Sequence, residues 1–476
     1  MKINIKNLGI IQNAEIDLSK DLIVFTGYNN TGKTYLNYLL YGLYKIPFGR
    51  IQKQFYPLVE IEDLSENYVC LQTNISKLFN QKFKEIEQIY ENLLIEFCVT
   101  IFDSSKIKPE IKLSFDENKI NFWLASFEKN YKTETNFFTG FNKVSLNDDK
   151  GKVEFSNGSL KFSFERISKT NEFYKQFKEN LSEIVKLNAY MDFERIMNKI
   201  ANFNHIFQRD YNPKTYFFVA ERATLNQYSN DLVFSKAEKY EQNSNPYPSE
   251  TDKNEKKVEA DYPLAVNEYI KLVYAGNLKR TIKKDSAFAT YATELEQTIL
   301  DKGRVIIDDN GLIKFQLQNK SLLEIHETSS TVKSLVGFII YLRHLCEIGD
   351  IIFIDEPELN LHPKNQIVFA RILAKLINKG IKIILSTHSD FFTKELSSLV
   401  LLYKDRNEAD KYWEMYGINE EYFINPEKVG LYSFNDSGEI QPDELNKYGI
   451  EISSFNEIID QQSQMYNHFY YMVSNE

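Results

Sequence analysis

The segment with the clearest chemical signature is glycine-rich and spans residues 27–34, where the sequence is GYNNTGKT. It is a complete G-x-x-x-x-G-K-T pattern, whose glycines let backbone N–H groups curl around phosphates. The ammonium group of Lys33 can reach the β- and γ-phosphates of ATP, and the hydroxyl of Thr34 can bind Mg²⁺. The predicted phosphate-binding residues are Gly27, Asn29, Asn30, Thr31, Gly32, Lys33 and Thr34.

The sequence around this segment predicts the elements that position it. Residues 22–26 are apolar and partly β-branched, which is typical of a buried strand, and residues 35–43 have the composition of a buried helix. Residues 2–5 and 14–18 predict two further strands ahead of it. The strand–loop–helix order is the context in which this pattern binds phosphate.

A second group of candidate residues follows a strand predicted at 351–354, where the sequence is IIFI followed by Asp355, Glu356 and Pro357. Asp355 would hold Mg²⁺ directly or through water, and Glu356 is placed to polarise an attacking water molecule. Further on, the apolar residues 381–385 predict another strand that leads to His388. A histidine at the end of such a strand is a candidate sensor of the γ-phosphate.

Ser329 and Ser330 precede an apolar run, residues 335–345, that predicts a helix. The free N–H groups and the dipole at a helix N-terminus suit an anion, so these serines are candidates for contact with the γ-phosphate of a partner subunit. An ordinary serine N-cap is the alternative interpretation.

Composition restricts the class of protein. The chain has 476 residues, 43% of them hydrophobic, and a formal net charge of −10, which argues against a wholly basic protein that coats nucleic acid. Its three cysteines form no C-x-x-C pair, so neither a zinc site nor a disulfide framework is predicted. The N-terminus lacks the apolar stretch of a signal peptide, and no run is long enough to span a bilayer. These features predict a soluble, cytoplasmic protein without a membrane partner.

The order of these motifs resembles the ABC-type ATPase superfamily. Within it, the sequence DEPELNLHP at 355–363, with His362 near its end, resembles the soluble OLD-like ATPases of the AAA grouping, which are relatives of the SMC and RecF proteins. The two signature serines followed by Lys333 also resemble that group. The resemblance implies an α/β fold: a P-loop NTPase of ABC-ATPase type with an N-terminal antiparallel β subdomain and a large α+β insertion.

The resemblance also divides the chain into segments. The ATPase core would comprise 1–50, with the phosphate loop, and 304–395, with the signature, acidic strand and histidine. An α+β insertion would occupy 51–214, and a short core strand with a Q-loop-like segment 215–233. A flexible polar loop and helices would follow at 234–303. An α/β tail at 396–476 would complete the core, and the apolar periodicity of its last helix predicts packing.

The same resemblance implies two ATP molecules held between two subunits of a homodimer. Each site would combine Lys33, Thr34, Asp355, Glu356 and His388 of one subunit with Ser329 or Ser330 of the other. Thr331 stands where the family has a glycine, which predicts slow hydrolysis because its Cβ hinders close approach to phosphate.

A second departure from the family lies after the predicted strand 215–219. The family has a glutamine there, whereas this chain has Glu221 followed by Arg222. Glu221 is assigned a place near the metal or the attacking water, and Arg222 a contact with phosphate or with the insertion. A surface salt bridge is the alternative for both residues.

No Asp-x-Asp pair follows His388, so the sequence predicts that the chain is not a nuclease by itself. The resemblance then implies an ATPase that regulates a separately encoded nuclease or toxin in bacterial anti-phage defence. The alternative is a DNA-repair or chromosome-associated clamp of RecF or SMC type that binds DNA directly. A transporter subunit is disfavoured by Thr331, by the insertion and by the ending of the 355–363 segment.

Overall fold

The structure is a computed structural model, which describes thirteen segments of the chain. These are residues 1–46, 62–63, 69–102, 104–114, 151–156, 159–164, 214–228, 262–273, 285–404, 409–435, 437–443, 449–450 and 453–474. Most of the predicted α+β insertion and the start of the predicted polar loop lie outside them, at residues 115–150, 165–213 and 229–261.

The described strands and helices follow each other in mixed order along the chain. The strands are β1 (Lys2–Leu8), β2 (Ile11–Asp17), β3 (Leu22–Gly27), β4 (Glu62–Asp63), β5 (Val69–Asn74), β6 (Glu110–Ser114), β7 (Gly151–Ser156), β8 (Ser159–Phe164), β9 (Thr215–Phe218), β10 (Arg304–Ile307), β11 (Ile313–Gln316), β12 (Leu322–Glu324), β13 (Ile351–Asp355), β14 (Lys382–Ser386), β15 (Val429–Phe434) and β16 (Glu439–Asp443). The helices are α1 (Lys33–Leu43), α2 (Ile75–Phe102), α3 (Arg222–Gln227), α4 (Leu264–Val273), α5 (Ala289–Thr298), α6 (Ser330–Ile340), α7 (Pro363–Asn378), α8 (Asp390–Lys404), α9 (Ala409–Tyr416) and α10 (Ser453–Ser474).

The chain divides into two compact units. The first comprises Met1–Ile3, Ile46–Glu96 and Ile111–Asn212, and the second comprises Asn4–Lys45, Phe97–Glu110 and Pro213–Glu476. Four strands of the first unit form a sheet in the order β4-β5-β8-β7, in which every neighbouring pair is antiparallel. All of the candidate site residues belong to the second unit.

The second unit is built on a mostly parallel sheet. Its strands lie in the order β1-β2-β16-β15-β3-β14-β13-β9, and β15, β3, β14, β13 and β9 are mutually parallel neighbours. The two N-terminal strands, expected in an antiparallel β subdomain, extend this same sheet. In parallel sheets the carboxyl ends of the strands meet at one edge, where ligands bind.

Aromatic side chains fill the space between this sheet and α1. The rings of Phe217 on β9 and Phe353 on β13 are stacked 5.6 Å apart, and Tyr41 of α1 contacts both rings edge-on. Tyr41 and Phe353 are 1% and 0% exposed, so this cluster anchors the helix that follows the phosphate loop. Burial of aromatic rings is among the largest apolar contributions to a core.

A small antiparallel sheet precedes the signature serines. Strands β10 and β11 pair antiparallel from Arg304–Gln316 to Ile307–Ile313, and β12 adds a third strand. A single 3-10 turn, Ile325–Glu327, then leads from this small sheet to α6. The apolar run that followed the serines is helical to Ile340 and continues as a π-helical turn, Tyr341–Leu345.

The C-terminal tail agrees with its prediction in a strand and differs from it in the last helix. As expected of an α/β tail that completes the core, it contributes β15, which pairs with β3 in the main sheet. In α10, however, Met465, Tyr466 and Phe469 are 56%, 67% and 56% exposed. The expectation that these apolar side chains pack within the chain is wrong, because the helix is exposed on all sides from Asp460 to Met472.

Among the described helices, none combines the length and the apolar character needed to span a bilayer.

Candidate functional site

The phosphate loop has the backbone geometry that its glycines predict. Gly27 ends β3 with φ +124°, and Gly32 caps α1 with φ +96°; both values favour glycine over other residues. A Cβ on Gly27 would overlap the carbonyl oxygen of Phe434 on the neighbouring strand, and a Cβ on Gly32 would crowd Ile11. The loop therefore depends on glycine both for its turns and for its fit to the strands beside it.

Lys33 lies inside this loop. Its ammonium group donates to the carbonyl oxygens of Gly27, at 3.2 Å, and Tyr28, and to Oγ1 of Thr31, at 3.1 Å. Burial lowers the pKa of Lys33 to about 8, while the carboxylates of Asp355, Glu356 and Glu358 oppose this shift. Asn29 and Asn30 are exposed on the outer side of the loop, and Asn30 adopts φ +61°.

Thr34, in the first turn of α1, contacts the end of β13. Its hydroxyl donates to Oδ2 of Asp355 over 2.7 Å, and Oγ of Ser386 on β14 donates to the other carboxylate oxygen. The parallel register pairs Asp355 directly with Ser386, which explains why that serine reaches it. Asp355 is only 2% exposed, so these hydrogen bonds fix the orientation of its carboxylate.

The oxygens of Thr34 and Asp355 form a donor set that fits Mg²⁺. Magnesium prefers hard oxygen ligands and is usually held by one or two protein oxygens together with substrate phosphates and water. No cluster of three or more His, Cys, Asp or Glu side chains able to hold a metal ion occurs among the described residues. Two protein oxygens would hold such an ion together with the phosphates of a nucleotide.

Glu356 adopts a left-handed backbone conformation, with φ +50°. Its amide donates to the carbonyl oxygen of Ser386 over 3.0 Å. Burial raises the pKa of its carboxyl group, the charge of Asp355 adds to the shift, and Arg222 and Lys33 oppose it. A carboxylate with a raised pKa beside a phosphate loop is well suited to accept a proton from water.

His388 lies near the phosphate loop, beyond the end of β14. Burial, together with the charge of Lys33, lowers the pKa of His388 to about 4, so the ring is neutral at pH 7. Its amide donates to Oε1 of Glu358 over 2.6 Å, and Oγ1 of Thr387 donates to Oε2 of the same carboxylate over 2.9 Å. Glu358 thus holds the segment that carries His388.

Arg222 and Glu221 have different surroundings. Arg222 is 3% exposed and donates to backbone carbonyl oxygens, including those of Asp355 at 2.8 Å and Glu356 at 2.7 Å. The alternative of a surface salt bridge is therefore wrong for Arg222, because its guanidinium group is buried against the end of β13. Glu221 is exposed, and its charge contributes to the raised pKa of Glu356.

The signature serines are exposed at the start of α6. Ser329 is its N-cap, and its Oγ accepts a hydrogen bond from the amide of Val332 over 3.3 Å, as the ordinary N-cap interpretation predicts. Ser330 is the next residue along, so its hydroxyl stands at the same helix end. Oγ1 of Thr331 donates to the carbonyl oxygen of Asn360 over 2.8 Å, which ties this helix end to the segment after β13.

Two other candidate residues have structural partners. The ammonium group of Lys333 donates to Oε1 of Gln227 over 3.1 Å, which joins α6 to α3. Nδ1 of His362 accepts from the amide of Lys364, so this imidazole caps α7, which begins at Pro363. Neither contact involves the phosphate loop.

Comparison with known proteins decides the family. A profile of the AAA ATPase domain matches residues 1–393, most of the 476-residue chain. The chain belongs to the AAA ATPase domain family. No curated protein matches it.

Several solved structures are similar to this AAA ATPase chain, at low identity. An SMC head bound to the C-terminal winged-helix domain of ScpA has 11% identity and a TM-score of 0.31, covering 94% of this chain and 98% of that one. The SMC head domain of Thermotoga maritima has 8% identity and a TM-score of 0.29, with 93% and 98% covered. The Pyrococcus furiosus Smc head with an extended coiled coil, bound to the C-terminal domain of ScpA, has 11% identity and a TM-score of 0.30, with 97% and 98% covered.

The sequence reasoning missed two polar residues of this ATPase domain. Ser386 and Glu358 hold Asp355 and the His388 segment, respectively. The signal for Ser386 was its position at the carboxyl end of a predicted strand, and the signal for Glu358 was an acidic residue directly after Pro357. Both signals become specific only once β13 and β14 are known to be parallel neighbours in register.

Proposed function

We propose that this chain binds ATP together with Mg²⁺ and hydrolyses it between two copies of itself. The observation that carries this proposal is the convergence of the Thr34 hydroxyl and the Asp355 carboxylate beside Lys33. Lys33 would bind the β- and γ-phosphates, while Thr34 and Asp355 would hold the Mg²⁺ ion. When bound, Mg²⁺ would neutralise charge that develops on the phosphates.

Glu356 and His388 would act on the γ-phosphate. Glu356, whose pKa is raised by burial, would orient the attacking water and accept its proton. His388 is neutral at pH 7, so it can donate one N–H to a phosphate oxygen without adding a charge. The lowered pKa of Lys33 rests on burial, and contact with a triphosphate would favour its charged form.

The second copy would supply the signature serines. Ser329 and Ser330 are exposed at the N-terminus of an eleven-residue helix, where the dipole favours an anion. In the dimer each helix N-terminus would face the γ-phosphate bound by the partner. Thr331 has a Cβ where glycine would permit the closest approach, and this supports slow turnover.

The biological role proposed for this ATPase is regulation of a separately encoded nuclease or toxin in anti-phage defence. It rests on the resemblance to OLD-like ATPases and on the lack of an Asp-x-Asp pair in the sequence after His388. ATP binding would close the dimer and hydrolysis would reopen it, so that the nucleotide state sets the effector's activity.

Two experiments test the proposal at its two levels. Phosphate release from ATP by the purified chain, with and without Mg²⁺, tests the ATPase activity, and no release above a Lys33→Ala control would overturn that activity.

The effector role is tested by phage challenge of cells that carry the chain with its flanking genes, in wild-type and Glu356→Gln forms. Equal protection by both forms would overturn the role, and salt-dependent binding of duplex DNA by the chain alone would favour the clamp instead.

A further inference from the structure

Arg222 is a buried cation whose partners are backbone carbonyl groups. Its guanidinium group donates to the carbonyl oxygens of five residues: Val219 at 3.1 Å, Ser334 at 3.2 Å, Asp355 at 2.8 Å, Glu356 at 2.7 Å and Pro357 at 3.4 Å. No side-chain carboxylate is among its hydrogen-bond partners in the described part of the chain. Hydrogen bonds from a charged donor are stronger than those between neutral groups.

These five carbonyl groups belong to three different parts of the ATPase domain. Val219 follows β9, Ser334 lies within α6, and the other three residues end β13 and begin the segment after it. Two further bonds join α3 to α6: Nδ2 of Asn226 donates to the carbonyl oxygen of Lys333 over 2.6 Å, and the Lys333 ammonium group donates to Gln227. Helix α3 therefore connects the signature helix to Asp355 at the end of β13 and to Glu356 directly after it.

The connection reaches Glu356 through its backbone. A non-glycine residue with φ +50° is strained and persists only where its surroundings hold it. The Glu356 amide is held by Ser386, and its carbonyl oxygen is held by Arg222. Loss of the second contact frees the peptide group that sets the direction of the Glu356 carboxylate.

We propose that Arg222 is a positioning residue that links the signature helix α6 to Glu356 and so couples the two ATP sites of the dimer. This inference rests on the proposed function. Helix α6 would contact the ATP held by the partner, whereas Glu356 acts on the ATP held by its own chain. Arg222 contacts both elements, so engagement of α6 by one nucleotide fixes the backbone of the residue that hydrolyses the other. Coupling of this kind is carried by contiguous hydrogen-bonded groups.

The test uses Arg222→Lys, which keeps the charge but loses the planar fork that spans three segments. Displacement of a catalytic group by about 1 Å costs on the order of 100-fold in rate, so kcat should fall by roughly 100-fold with KM for ATP little changed. The matched control is Arg371→Lys, because Arg371 joins α7 to α8 through Glu395 at 2.6 Å and contacts none of the site residues. It should leave kcat and KM at wild-type values.

A double-variant cycle separates coupling from a local structural effect. The double variant combines Arg222→Lys with Ser330→Ala. If Arg222 acts through α6, the fold-reduction in kcat of the double variant should be well below the product of the fold-reductions of the two single variants. A loss equal to that product would overturn the link, as would a wild-type kcat for Arg222→Lys. An inactive wild-type protein would instead overturn the proposed function.

Hydrogen exchange on the wild-type protein keeps the inference testable if Arg222→Lys does not fold. ATP with Mg²⁺ should protect the amides of residues 330–340 and 355–360 to a similar extent, because Arg222 joins both segments. Protection of one segment without the other would overturn the inference.

Discussion

The hydroxyl of Thr34 donates a hydrogen bond of 2.7 Å to Oδ2 of Asp355, although the two residues are 321 positions apart. Two elements produce this contact: α1 begins directly after the phosphate loop, and β13 ends at the same edge of the sheet. The strand β14 lies between β3 and β13, and its Ser386 binds the same carboxylate. The pair is the structural basis for placing Mg²⁺ beside Lys33.

Replacement of Lys33 by alanine should weaken ATP binding. A hydrogen bond to a charged group contributes about 1.5–3 kcal/mol, so the dissociation constant should rise by roughly tenfold to 100-fold. Fluorescence titration with a labelled ATP analogue measures this change. Lys379→Ala removes an exposed lysine at the end of α7 and should bind ATP as the wild type does. Equal affinity in Lys33→Ala would contradict the assigned role.

Glu356→Gln should retain ATP but hydrolyse it slowly, because an amide cannot accept the proton of the attacking water. General-base catalysis contributes typically about 100-fold to 10,000-fold, so kcat should fall by at least about 100-fold. With ATP, light scattering should show a stable dimer. Glu420→Gln, at an exposed glutamate, is the control. A wild-type rate in Glu356→Gln would exclude this residue as the base.

The two signature serines should respond differently to alanine. Ser329 caps α6 through Val332, so Ser329→Ala should lower the free energy of unfolding by about 1 kcal/mol. Ser330 is exposed and is not the cap, so Ser330→Ala should leave that free energy within about 0.5 kcal/mol of the wild-type value. We expect Ser330→Ala to lower ATP turnover all the same. Thermal unfolding and phosphate release, measured on both variants, test whether Ser329 stabilises the helix and Ser330 supports turnover. Wild-type turnover by both variants would contradict contact between these serines and the partner's nucleotide.

Asp350 should make stability depend on pH. It is 0% exposed, and burial raises the pKa of its carboxyl group from 3.8 to about 7. The folded protein binds this proton more tightly than the unfolded chain does. The stabilisation is therefore fully present below pH 3.8 and is lost as the pH rises to about 7.

The variant Asp350→Asn isolates this contribution. Its amide cannot titrate, although its oxygen can still accept a hydrogen bond from Tyr341. Between pH 5 and pH 8 the wild-type protein should lose on the order of 2 kcal/mol of unfolding free energy relative to the variant. Urea denaturation at both pH values measures the difference, and a gap that does not change with pH would contradict the raised pKa.

The sequence by itself determined the local chemistry of the site. The glycine pattern of residues 27–34 predicted the phosphate loop because only glycine tolerates φ values such as those of Gly27 and Gly32. The apolar runs before Asp355 and His388 predicted strands because buried parallel strands are continuously apolar. These signals lie within about ten residues of the chain, so no tertiary contact was needed to recognise them.

The tertiary structure decided how these segments act together. Only the order β3-β14-β13-β9 brings Thr34 to Asp355 and Ser386 to the same carboxylate. In the sequence, Arg222 follows a short predicted strand, and several roles were compatible with that position. Nothing in the neighbouring residues indicates that the end of β13 and helix α6 surround its guanidinium group. For the amphipathic α10 the prediction differed from the structure, because its periodicity predicted packing and the fold leaves its apolar side chains exposed. Periodicity records which face of a helix is apolar, but the partner of that face is set by long-range contacts.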